Sequence, residues 1–210
     1  MRPASVRSRS AFTLIELLVV IAIIAILMSL SMAAFSGVFG KAYKSETKSL
    51  VERLKLAIEN YQNDFGDYPP SDPKRAGLPA NGRNDGIECL LQCLTTTKKS
   101  GPYFEFPEER LVNTDGDARK TNVTTSMMLS PQLFEMTDAW GRPLVYLHNA
   151  DYAKGHLVVV PQEEGDPKDV AVKGVTGGKS GSYHGFTSFQ LMSLGADGAP
   201  GGDDDVTSWD

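Results

Sequence analysis

From Phe12 to Phe35 the chain is apolar apart from Thr13, Glu16, Ser29 and Ser31, and the one charge in that run constrains its folding more than any other residue. Phe12 to Met32 is long enough to span a bilayer as a helix, roughly 30 Å at 1.5 Å per residue. At membrane depth an ionised carboxylate costs roughly 2.5–3.5 kcal/mol on insertion scales, so charges there tend to be paired and functional. Glu16 therefore calls for a cationic partner. Arg2, Arg7 and Arg9 precede the run with no acid among them, which places the start of the chain in the cytoplasm and everything after about Lys41 outside.

The basic leader, Phe12-Thr13-Leu14-Ile15-Glu16 and the apolar run resemble the N-terminal signal of type IV pilins and of type II secretion pseudopilins. The resemblance implies that a prepilin peptidase cuts between Ala11 and Phe12 and that the new Phe12 amine is N-methylated. Gly more often precedes the cut in that family, and Ala11 keeps the position small. Cleavage exposes an α-amino group with an ordinary pKa of about 8, a cation close in sequence to Glu16. In the family this glutamate meets the amine of a neighbouring subunit and sets the register of a helical filament. A secretory signal peptide is a poorer reading, because the apolar run is long and only Met32-Ala33-Ala34 offers a cleavage-like site. A plain single-pass anchor also fits the length, but neither alternative accounts for Glu16.

Removing the leader would take three of the 21 basic residues and none of the 26 acidic ones, moving the formal net charge from −5 to −8. That balance argues against nucleic-acid binding by a broad basic surface. Beyond the membrane run, Tyr43, Thr47, Leu50, Leu54, Ile58, Tyr61 and Phe65 recur at three- and four-residue steps among Lys, Glu, Gln and Asn, the stripe of an amphipathic helix. Gly66 and Pro69-Pro70 end it. The expected organisation is a leader over 1–11, the transmembrane half of a long helix over 12–37, its amphipathic half over 38–66, and a periplasmic globular head over 67–210.

The head is expected to be α+β, with a small antiparallel sheet laid on the amphipathic half-helix. Ile87 to Leu94 reads as a short helix with Ile87, Leu90, Leu91 and Leu94 on one face. Leu144 to His148, Leu157 to Val160 and Phe186 to Leu194 read as three strands of one sheet, with Asp151 to Gly155 as a hairpin between the first two. The stretches 98–130 and 161–185 read as long polar loops.

Several head segments resemble the major pseudopilins of type II secretion in their order along the chain. They are the Gly86-Ile87-Glu88-Cys89-Leu90 helix, Asp138-Ala139-Trp140-Gly141-Arg142-Pro143 before a Tyr-bearing strand, and Ser193-Leu194-Gly195-Ala196-Asp197-Gly198 followed by Gly201-Gly202 and an acidic tail. The tail itself places Asp197, Asp203, Asp204 and Asp205 within nine residues, interspersed with glycines that let the backbone turn. Bare, these carboxylates repel, whereas Ca²⁺ takes about 6–8 oxygen ligands and would close the loop. The resemblance implies calcium held by Asp197, Asp204 and Asp205 with the Leu194 carbonyl, and Asp203 as a substitute for one of them. A solvated acidic terminus is the plainer alternative.

Other chemistry is weaker. Asn113-x-Asp115-x-Asp117 opens like an EF-hand loop, but Ala118 and Thr124 stand where Gly and the bidentate Glu belong, so it reads as a polar turn. Lys173 to Ser180 ends like a phosphate loop but lacks its first Gly, and reads as a flexible loop. His148, His156 and His184 have no metal-ligand spacing. Cys89 and Cys93 read as small buried apolar residues on the short helix, and Asn122-Val123-Thr124 is a chance-level glycosylation acceptor. No catalytic motif is present, so an enzyme is the remotest class.

The resemblance thus implies a structural subunit of a type II secretion pseudopilus. Its partners would be further copies of itself in a helical filament, the prepilin peptidase, an inner-membrane assembly platform, minor pseudopilins and the membrane. Two alternatives stay open: a type IV pilus pilin, and a membrane-tethered minor pilin or binding module that uses the long loops to hold a ligand.

Overall fold

The computed structural model describes residues 13–119, 131–162, 164–177 and 181–209, with the side chains of 30–38 outside that set. Helix α1 runs Leu14–Phe65 and stops where Gly66 takes a φ of +82°, a conformation that costs glycine little. Two compact units divide the chain between Ala42 and Tyr43.

In the first unit the large apolar side chains from Leu14 to Met28 are 45–81% exposed. Among the described residues no helix is long and apolar enough to cross a membrane. The expected span over 12–37 begins at a residue outside the described set and continues into the stretch whose side chains are not described.

The second unit is α+β. Among the described residues it contains the rest of α1, a single turn α2 (Pro73–Ala76), α3 (Asp85–Leu94) and nine short strands. The strands are β1 (Leu111–Val112), β2 (Glu135–Met136), β3 (Val145–His148), β4 (His156–Val160), β5 (Lys168–Val172), β6 (Thr176–Gly177), β7 (Ser182–Tyr183), β8 (Phe189–Ser193) and β9 (Val206–Thr207). All pairings between them are antiparallel: β1 with β2, β4 with β5, β6 with β7, and a three-stranded sheet in the order β3-β8-β9.

That three-stranded sheet is covered on both faces. Tyr146, Phe189, Leu191 and Val206 pack with Leu50, Val51, Leu54, Ala57 and Ile58 of α1 and with Ile87, Leu90, Leu91 and Leu94 of α3. Val145, Leu147, Met192 and Leu194 pack on the other side against Tyr152, Val158, Val160 and Val172. A strand buried on both faces loses the apolar–polar alternation of a half-exposed strand, and every residue of β3 and β8 is buried, including His148, Gln190 and Ser193. The approach of α3 to β3 is close enough that a Cβ on Gly86 would lie 2.1 Å from the Tyr146 carbonyl oxygen.

The expected strand pairing is wrong in one respect. Asp151 to Gly155 is not a hairpin joining β3 to β4. The His148 Nδ1 accepts a hydrogen bond from the Ala150 N–H at 3.1 Å, Asn149–Asp151 forms a 3₁₀ turn, and Tyr152 enters the core on the far face. This turns the chain off the β3 sheet. The partner of β3 is β8, with Val145 opposite Met192, and β4 pairs with β5, which lies in a stretch expected to be loop. The missed signal in β5 is the Val170/Val172 alternation, which turns both side chains toward the second core cluster. The phosphate-loop-like segment likewise contributes Thr176–Gly177 to a small hairpin with β7, and its last residues lie outside the described set.

Candidate functional site

At the start of α1, Thr13 donates from its N–H and its Oγ1 to Glu16 Oε2 at 2.9 and 2.7 Å, and the Glu16 N–H donates to Thr13 Oγ1 at 3.3 Å. This is a reciprocal capping box, which satisfies amides that a helix start leaves without partners. Glu16 therefore has a helix-starting role that its charge alone did not reveal. Ala11 and Phe12, the expected processing residues, lie outside the described set.

The C-terminal loop is built jointly by two segments far apart in sequence. Asp138, buried at the turn before β3, accepts from the N–H groups of Trp140 and Arg142, both at 2.9 Å, and from Ser193 Oγ at 2.5 Å. Arg142 then donates from its guanidinium to the Gly195 carbonyl at 2.9 Å. Gly195 has a φ of +61°, and a Cβ there would meet the Asp204 carboxylate at 2.5 Å, so this position requires glycine on two counts.

Within the loop, Asp204 Oδ2 accepts from the Asp197 N–H at 3.0 Å and Asp205 Oδ2 from the Gly201 N–H at 2.7 Å. Asp205 Oδ1 is buried without a partner. Burial pushes the Asp205 carboxyl above its ordinary range, and repulsion from Asp204 and Asp197 adds to this against the opposing N–H groups of Gly201 and Gly202. The Leu194 carbonyl accepts from the Gly198 N–H at 3.1 Å. Asp203 is exposed, and its carbonyl takes a hydrogen bond from Lys44 Nζ at 2.6 Å. The loop places Asp197, Asp204 and Asp205 along one turn, with Asp197 and Asp203 exposed, but among the described residues the three carboxylates do not lie within 4.8 Å of one another. All available donors are oxygens and one is buried and orphaned, which fits a hard cation.

A second acidic group was only half legible. The Asn113–Asp117 stretch is a polar turn, as its residues suggest: Asn113 Oδ1 accepts from the Gly116 and Asp117 N–H groups at 2.7 and 3.2 Å. Glu88, on α3, joins it. Among the described residues, Glu88, Asp115 and Asp117 form the group of three acidic side chains whose ligand atoms all lie within 4.8 Å of one another. Burial, with repulsion from Asp117, Asp115, Glu135 and Asp85, pushes the Glu88 carboxyl up to about 10. Burial likewise raises Asp117 to about 6, with Asp115 and Asp85 contributing. The available signal was a glutamate beside Ile87 on a helix whose neighbours are nearly all apolar.

Asn84 fixes this region. Its backbone N–H donates to the Leu157 carbonyl at 2.8 Å, its Oδ1 accepts from the Val159 N–H at 2.9 Å, and its Nδ2 donates to Thr114 Oγ1 and Glu135 Oε1 at 2.8 and 2.9 Å. It thereby ties the start of α3 to β4, β2 and the polar turn. Cys89 and Cys93 are free thiols buried in the protein.

Residues 6–32 match the prokaryotic N-terminal methylation motif. The chain is 27% identical over 203 residues to the type II secretion system core protein G of Klebsiella michiganensis, a match covering 97% of this chain and 94% of that protein. It is 36% identical over 134 residues to a type IV major pilin protein PilE1 of Neisseria gonorrhoeae, covering 52% of this chain and 81% of the pilin. Another PilE1 of that organism matches at 36% over 73 residues, where the chain spans 34% of the relative's length. No solved structure gives a significant match. The methylation motif, the α+β second unit and these relatives together show that the chain belongs to the pilin and pseudopilin family, structural proteins rather than enzymes, whose membership implies prepilin peptidase processing, inner-membrane anchoring and self-assembly.

Proposed function

We propose that the chain is the major pseudopilin of a type II secretion system, polymerising through its N-terminal helix into a periplasmic filament that drives protein export. The observation that carries this reading is the apolar surface of α1 from Leu14 to Met28, where every large apolar side chain is at least 45% exposed. Such a surface is covered by lipid before assembly and by neighbouring copies after it. Its expected span and domain bounds are 12–37 for the transmembrane half, 38–66 for the amphipathic half and 67–210 for the periplasmic head.

Ala11 and Phe12 are the processing pair in this reading. The free Phe12 amine of one subunit reaches the Glu16 carboxylate of another, competing with the Thr13 capping contacts and setting the axial register. Further partners are the inner-membrane assembly platform and the minor pseudopilins. The match to core protein G over nearly the whole chain supports the secretion reading, since the pilin matches cover 52% of the chain and 35% of it. Those pilin matches favour the second reading, a type IV pilus pilin, by their higher identity; a membrane-tethered minor pilin or binding module rests only on the loop lengths.

Calcium is part of the proposal. Asp197, Asp204 and Asp205 would hold it with the Leu194 carbonyl, Asp203 standing close by in sequence as a reserve ligand. The ion would supply the positive charge that the neighbouring tail carboxylates lack and would draw them together. Replacing Glu16 by Ala should leave insertion and leader removal intact and abolish filament growth and secretion. Normal filaments in the Glu16→Ala strain would sink the register mechanism. Thermal melting of the wild type should rise with calcium, by about 2.7 kcal/mol of stability at 100 times the dissociation constant. The Asp204→Ala/Asp205→Ala variant should show a smaller rise than the wild type, and an equal rise would sink the tail site.

A further inference from the structure

We propose that Glu88, Asp115 and Asp117 form a second calcium site, between α3 and the 113–117 turn, that is separate from the C-terminal loop. The acidic cluster is not the only observation behind it. Glu88 is 2% exposed, and both of its carboxylate oxygens are buried without a hydrogen-bond partner. Asp117 Oδ1 is buried and unpartnered as well. Buried polar atoms are nearly always hydrogen-bonded, so three orphaned oxygens converging on one place mark a missing ligand rather than a packing accident.

The chemistry of that ligand follows from the donors. Every group in the trio offers oxygen, which selects a hard cation and disfavours zinc or copper. Ca²⁺ binds oxygen at about 2.3–2.6 Å, so ligands on opposite sides of the ion stand about 4.6–5.2 Å apart. The mutual spacing of up to 4.8 Å among the Glu88, Asp115 and Asp117 ligand atoms fits a common centre. Mg²⁺, with bonds of about 2.0–2.1 Å and a reluctance to shed water, fits a buried all-carboxylate group less well.

The surroundings hold the ligands without neutralising them. Asn81 Nδ2 donates to Asp115 Oδ2 at 2.8 Å and to Asp117 Oδ2 at 3.0 Å, fixing one oxygen of each; Asp115 Oδ1 takes only a long 3.4 Å contact from the Asp117 N–H, and Asp117 Oδ1 has no partner. Glu135, the next acid, is already satisfied by the Thr114 N–H at 3.0 Å and the Asn84 amide at 2.9 Å, and so acts as a support rather than a ligand. Among the described residues no Lys, Arg or His forms an ion pair with Glu88, Asp115 or Asp117. The Arg119 guanidinium hydrogen-bonds to Gln92 instead. A bound ion would pin the 113–117 turn to α3, and through Glu135 and Asn84 to β2 and β4.

The test uses the full chain in detergent, with both sites addressed separately. Calcium bound per chain is measured by equilibrium dialysis on the wild type, on Asp204→Asn/Asp205→Asn, and on the latter carrying Glu88→Gln. The tail variant should retain one calcium per chain, and adding Glu88→Gln should remove it. Hydrogen exchange at the Gly116 and Asp117 amides should slow with calcium in the tail variant and not after Glu88→Gln. If circular dichroism shows that Glu88→Gln does not fold, Asp117→Asn at the half-exposed ligand takes its place. Absence of bound calcium in the tail variant, or retention of it in both Glu88→Gln and Asp117→Asn, overturns the proposal. Failure of the tail site shows up differently, as equal calcium in wild type and tail variant.

Discussion

Gly86→Ala sets helix propensity against packing, and the two predict opposite signs. In a helix alanine is better than glycine by up to about 1 kcal/mol, so propensity by itself predicts a more stable protein. The structure predicts the reverse, because the new Cβ would sit 2.1 Å from the backbone carbonyl oxygen of Tyr146, where ordinary contact begins at 3.4 Å. That oxygen belongs to the backbone of strand β3, which is paired with β8, and cannot swing aside as a side-chain tip could. Helix α3 and β3 must therefore separate by about 1.3 Å, the difference between those distances. Overpacking of this kind costs about 1–3 kcal/mol. The separation also loosens Ile87, Leu90, Leu91 and Leu94, all buried in the shared core. A gap of 0.5–1 Å forfeits roughly a quarter to a half of the dispersion well at each contact. After the propensity gain is set against these losses, a net destabilisation of about 2–4 kcal/mol is expected. Urea denaturation of residues 43–210, followed by circular dichroism, should show a midpoint lower by about 1–2 M at a slope near 2 kcal/mol/M. An unchanged or higher midpoint would refute the close approach of α3 to β3.

Two further outcomes follow from buried carboxylates that are not themselves proposed as cation ligands. Asp138→Ala strips the acceptor from Trp140, Arg142 and Ser193 and should cost about 2–4 kcal/mol in thermal stability, because buried donors lose their partner. Asp138→Asn keeps an oxygen for the two backbone donors and should cost less; equal losses would argue against the hydrogen-bonded turn. Asp151 governs the acid side. Burial pushes its carboxyl upward, but the hydrogen bonds and charge of Lys154 and the Ser71 hydroxyl outweigh it, leaving it below its ordinary value. A lowered folded-state value means the contribution is complete above the unfolded value of about 3.9 and is lost as pH falls through the folded one. The stability difference between wild type and Asp151→Asn should thus be flat near neutrality and shrink below about pH 4. A difference that widens on acidification would contradict this sign.

Much of the protein was written in its local sequence. The long helix, its amphipathic stripe, its end at Gly66, the α3 helix and the positions of β3, β4 and β8 follow from periodicity and breakers, because these depend on residues within one or two turns of each other. The methylation motif was legible for the same reason, since its charge and apolar run are contiguous. Strand partners were not. Sequence neighbours β3 and β4 looked like a hairpin, yet β3 pairs with β8 some forty residues on, because a 3₁₀ turn and buried Tyr152 carry the chain across to the opposite face of the sheet. The link from Asp138 through Arg142 to Gly195 was likewise invisible, although each of its two segments stood out when read singly. Glu88 is the sharpest case: on its own helix it is one polar residue among apolar ones, and only the folding of the 113–117 turn over α3 turns it into part of an acidic cluster. Local pattern fixes which residues become helix or strand and which face is apolar. Which distant carboxylates converge is decided by how those faces pack, since proximity across the core has no counterpart in sequence spacing.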